Sequence, residues 1–147
     1  MIGELRRIFN DAGVGVNLLA SPNAADFAIG LGVAPMLPPL VQGRSDASGN
    51  QPPGTNIGIV WLGTLIAQNP GATPAQLGIA AGATASHEIG HIIWPGQGDL
   101  NPTQGLNRYD VMASPGQVWD QSVTFRPDAA RADVQNKCKQ LRAAGKS

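Results

Sequence analysis

The chain has 147 residues, 42% of them hydrophobic and 14% charged, with ten Lys and Arg balancing ten Asp and Glu. This length suits one globular domain with a real core, and the balanced charge offers no basic surface for a nucleic-acid partner. The single cysteine, Cys138, excludes an intrachain disulfide and any cysteine cluster, and no segment supplies the roughly 18 uncharged apolar residues of a membrane span.

Residues 2–12, "IGELRRIFNDA", carry Ile2, Leu5, Ile8 and Phe9 at helical spacing, with Gly13 as the expected C-terminal stop. Charges stand where a signal peptide would be apolar, so the chain as given reads as a soluble monomer; its compartment is unknown, and it is compatible with a domain cut from a longer secreted precursor. The runs 13–21, "GVGVNLLAS", and 25–33, "ADFAIGLGV", read as two strands separated by turn residues. Residues 34–55 hold five prolines among Gly, Ser, Asn and Asp, and are expected to form an irregular surface excursion. The segment 56–66, "NIGIVWLGTLI", is the strongest strand candidate.

A long helix is expected from Thr73 to just before Pro95, because Thr73 can cap it, Pro74 suits its first turn and Gln76 sits at the capping-box position. Leu77, Ala80, Ala81, Thr84, His87, Glu88 and His91 fall on one stripe of that helix. Residues 96–122 read as irregular, and 126–145 as a second helix with Ala130, Val134, Cys138 and Leu141 on one face. Cys138 is therefore expected to pack in the core.

Both histidines of the chain lie in "HEIGH", residues 87–91, an HExxH motif. Positions four apart on a helix share a face, so His87 and His91 can converge on one zinc ion. Glu88, offset by one residue, suits a water-activating base better than a ligand. Zinc with an open coordination position acidifies a bound water and polarises a peptide carbonyl, which is the chemistry of peptide hydrolysis. A third ligand cannot be histidine, and the other glutamate, Glu4, lies in the first helix. Asp99 and Asp110 are the candidates that follow the motif closely. Gly96 and Gly98 allow the chain to reverse early enough to return Asp99.

The segment "HEIGHIIWPGQGD" resembles the metzincin metallopeptidases, whose motif runs HExxHxxGxxH or HExxHxxGxxD; here four residues instead of two separate His91 from the glycine. The resemblance implies Gly96 as the turn glycine, Asp99 as third zinc ligand and Met112 in "YDVMAS" as the methionine beneath the site. It also implies an α+β domain, with a twisted mixed sheet, a backing helix, an active-site helix and a C-terminal helix, acting as a zinc endopeptidase on polypeptides. Residues 57–65 are expected to offer the strand edge on which substrate pairs. Tyr109 is a candidate oxyanion partner, or a packed loop tyrosine. Two other readings stay open: an aspzincin-like peptidase with Asp110 as ligand, and a non-catalytic zinc-binding or interaction domain. A gluzincin reading lacks the downstream glutamate it needs.

Overall fold

The computed structural model describes residues 1–21, 25, 27–33, 42–45, 56–94, 98–100, 110–113, 119, 123–125 and 128–144. Gly96 and Tyr109 lie outside the described residues, as does most of 34–55.

Helix α1 (Ile2–Asp11) buries Ile8 and Phe9. It closes with the paired hydrogen bonds Val14 N to Phe9 O and Gly13 N to Asn10 O, both 2.9 Å, while Gly13 takes the left-handed φ of 78° that a Cβ would oppose. The Ala12 carbonyl in this turn accepts a hydrogen bond from Gln135 Nε2, 2.9 Å, on the C-terminal helix, Asp128–Ala144.

The sheet has three strands, β1 (Ala28–Gly32), β2 (Gly43–Ser45) and β3 (Ile57–Trp61), in the order β1-β3-β2. β1 runs parallel to β3 and β2 antiparallel to it. The mixed sheet and the helices make an α+β fold, which departs from the sequence expectation in three places. Residues 13–21 form no strand: Val14 and Val16 pack sideways against the core, whereas Leu18 and Leu19 are exposed. β2 lies inside the proline-rich stretch, too short to show a period of its own. The run 56–66 stops being a strand at Trp61 and turns into helix α2 (Leu62–Gln68), because a short apolar run fits either period and here Thr64 and Leu65 bury as successive helical positions. β3 is thus the central strand, and residues 57–65 present no free edge; among the described residues the edges are β1 and β2.

Helix α3 (Pro74–Ile93) starts in a full capping box, with Gln76 N donating to Thr73 Oγ1 at 3.2 Å and Thr73 N donating to Gln76 Oε1 at 2.9 Å. Its sequence suggests one buried stripe, but every residue from Ala80 to Gly90 is buried. The helix runs through the middle of the domain, between the sheet, α1, α2 and the segment 110–113, and small residues permit that crowding. A Cβ on Gly82 would overlap Met1 O and sit 2.7 Å from Glu4 Cβ, so α1 crosses α3 there in backbone contact. On the sheet side, a Cβ on Gly58 would lie 3.3 Å from Glu88 Cβ. The core joins Ile8, Phe9, Val60, Leu65, Ile89, Val123, Phe125 and Val134, the last of these from helix α4 (Asp128–Ala144), with Cys138 half-buried at its margin. Among the described residues no helix is long and apolar enough to cross a membrane.

Candidate metal centre

The last turns of α3 carry His87, Glu88 and His91, and the helical repeat sets the two imidazoles one above the other, with ring centroids 4.5 Å apart. Their Nε2 atoms approach to 2.9 Å. Asp99, beyond the end of the helix, brings Oδ1 to 3.1 Å from His91 Nε2 and 3.2 Å from His87 Nε2. Among the described residues this is the group of three donors able to hold a metal ion. Tetrahedral coordination at about 2.0–2.2 Å would set donor atoms roughly 3.3–3.5 Å apart, and three protein donors would leave a fourth position open. The triangle of 2.9, 3.1 and 3.2 Å is a few tenths of an ångström tighter, a difference that small rotations of the three side chains would make up.

His87 is prepared for this role by its other ring nitrogen. Nδ1 lies 2.8 Å from the Val111 carbonyl, which can only accept, so Nδ1 carries the proton and the neutral ring turns the lone pair of Nε2 toward Asp99 and His91. In the metal-free protein, burial disfavours the His87 imidazolium, but hydrogen bonds to Asp99 and Val111 O and the charges of Glu88 and Asp99 outweigh it and raise the pKa. Asp99 is held well below the carboxylate range by hydrogen bonds with His87 and His91, against a smaller effect of partial burial. Its side chain is 41% exposed, and this is the side on which the group opens to solvent.

Glu88, one residue further round the helix, borders the same group and packs toward the sheet. Its carboxylate packs on Gly43 of β2, where a Cβ would overlap Oε1 and lie 2.8 Å from Cγ, and Ser45 hydrogen-bonds to it. Burial raises its pKa, while His87, His91 and the Ser45 hydrogen bond oppose the rise. Sequence reasoning misses Gly43 and Ser45 as site residues because nothing in the sequence marks β2 as a strand.

Met112 is buried against the reverse side of the motif: a Cβ on Gly90 would overlap its Sδ and sit 3.0 Å from its Cε. A glycine inside a helix costs about 1 kcal/mol relative to alanine, so Gly90 within "HEIGH" is a signal of close approach that the sequence does carry. Asp110 is also buried, but Oδ1 accepts the Met112 N–H at 2.9 Å, and Asp110 does not belong to the His87, His91, Asp99 group. Leu100 N donates to Met112 O at 2.9 Å, which anchors the chain next to Asp99. Comparison with protein-family models, with curated proteins and with solved structures found no match to this chain.

Proposed function

We propose that the protein is a zinc-dependent endopeptidase of metzincin-like build, in which His87, His91 and Asp99 hold one zinc ion and Glu88 is the general base. The observation that carries this reading is the convergence of three donor atoms within 3.2 Å of one another, with a buried carboxylate on the residue after the first histidine. Zinc bound there supplies Lewis acidity, acidifying water and polarising a peptide carbonyl. Glu88 takes the proton that water loses as it attacks the carbonyl carbon, then delivers it to the nitrogen as the C–N bond breaks. Gly43 leaves room for the carboxylate to turn, and Ser45 steadies it. Asp99 contributes a negative charge to the metal and lies on the solvent side, where substrate enters.

Polypeptide is the fitting substrate because β2, an edge strand among the described residues, lies beside Glu88. An extended peptide paired on that edge lays its backbone across the base and the metal. Met112 packed beneath Gly90 and the early return of Asp99 favour the metzincin-like arrangement over the aspzincin-like one.

Metal analysis combined with cleavage of an unstructured protein such as casein tests the reading. The expected result is about one zinc per chain, its loss in His87→Ala and His91→Ala, and hydrolysis reduced about 10²-fold to 10⁴-fold in Glu88→Gln with zinc retained. Stoichiometric zinc in the double alanine variant refutes the site. A zinc-loaded wild type that cleaves no unfolded substrate refutes the enzyme and leaves a zinc-binding domain.

A further inference from the structure

Val111 C=O and Met112 N–H are the two ends of one peptide group, and in a trans peptide they point in opposite directions. The carbonyl end meets His87 Nδ1 at 2.8 Å, and the N–H end meets Asp110 Oδ1 at 2.9 Å. Asp110, Val111 and Met112 are all buried, so both contacts lie in a low-dielectric setting where linked hydrogen bonds polarise one another. We infer that Asp110 is a positioning residue for the metal centre, acting on His87 through the intervening peptide group.

The carboxylate does two things in this arrangement. By holding the N–H it aims the carbonyl at the imidazole, and by accepting that hydrogen bond it polarises the peptide group and makes the carbonyl a stronger acceptor. The outcome is the Nδ1-protonated tautomer of His87, with Nε2 turned to bind metal. Carboxylates that orient a metal-bound histidine usually contact it directly. Here a peptide plane is interposed, and the carboxylate is two residues from the methionine packed under the motif. The same turn reaches the third donor, because Met112 O accepts from Leu100 N, next to Asp99. Val111 N donating to Thr124 O, 2.9 Å, and Ala113 N donating to Asp110 O, 3.0 Å, brace the turn from behind.

The inference rests on the proposed metal site, and the test separates the two. Metal-free wild type, Asp110→Asn, Asp110→Ala and Asp99→Asn are compared at alkaline pH, where imidazoles are neutral, by ¹⁵N NMR of the His87 ring. Zinc affinity is measured on the same four proteins by competition with a chelator. Wild type should show the Nδ1-protonated tautomer and Asp110→Ala a mixture of tautomers. Zinc affinity should fall about 10-fold to 100-fold in Asp110→Ala, as for loss of other outer-shell groups. Asp110→Asn keeps an acceptor oxygen, so it should retain the tautomer and bind zinc within a few-fold of wild type, whereas Asp99→Asn should lose affinity and keep the tautomer. An unchanged tautomer in Asp110→Ala overturns the inference. So does an affinity loss in Asp110→Asn as large as in Asp99→Asn, the behaviour of a ligand. Should Asp110→Ala fail to fold, Asp110→Asn still decides between the two roles. Wild type that binds no zinc refutes the proposed function, while the tautomer comparison continues to test the relay.

Discussion

At Glu88, burial raises the carboxyl pKa, and His87, His91 and the Ser45 hydrogen bond recover only part of the loss. A carboxyl whose pKa is higher folded than unfolded stabilises the fold below the unfolded value, near 4.3, and that stability is lost as pH rises through the folded value. Metal-free Glu88→Gln should therefore melt above metal-free wild type at pH 7, with the difference shrinking as the pH falls through the folded value toward about 4. Calorimetry across that range checks it, and equal melting temperatures at pH 7 contradict the assigned burial cost. Gly43 makes the complementary case. A methyl group there meets the Glu88 carboxylate, with Cδ 2.9 Å away, and since the carboxylate is the far end of a flexible side chain it should yield. Gly43→Ala is expected to lower kcat at least about 10-fold, because general-base help depends on placement, with zinc affinity unchanged. Loss of zinc in that variant would mean that the histidines themselves had moved.

Helix α3 stands between all the other described layers, and its small residues set the distances at which they stand. Gly82 is the point where α1 touches it through backbone atoms: a methyl carbon there would overlap Met1 O and stand 3.1 Å from Leu5 N. Backbone cannot rotate away as a side chain can. Gly82→Ala gains about 1 kcal/mol of helix propensity but should cost about 2–3 kcal/mol in displaced α1, for a net loss of about 1–2 kcal/mol. At roughly 2–4 °C per kcal/mol for a domain of this size, a thermal melt resolves the effect. Because Gly82 is more than one helical turn from His87, zinc affinity should stay within a few-fold of wild type. A variant as stable as wild type would show that α1 is free to slide.

The proposed metal site ties together the end of α3, Asp99 just beyond it and, through Val111 O, the turn at 110–113. A ligand that binds only the folded state adds stability according to its concentration, about 2.7 kcal/mol at 100 times its Kd. Chelation should lower the melting temperature of the zinc-loaded protein by roughly 5–10 °C. The same treatment should scarcely affect Asp99→Asn. A melting temperature indifferent to chelator in protein shown to carry zinc would place the metal somewhere other than between these elements.

Local interactions explain what was legible in the amino-acid sequence. Thr73, Pro74 and Gln76 mark the start of α3 because capping involves only neighbours, and four residues of helical rise are enough to bring the rings of His87 and His91 together edge to face. Gly13 marks the end of α1 for the same reason. The remainder depended on partners far along the chain. Whether residues 62–68 extend β3 or coil into α2, and whether 43–45 form a strand, is decided by what they pack against, since short apolar runs suit either period. The approach of Asp99 to the histidines follows from how the segment after α3 meets the turn at 110–113, where Leu100 N donates to Met112 O. The Val111 carbonyl that orients His87 belongs to the backbone, which every residue carries alike; only the tertiary fold could select it.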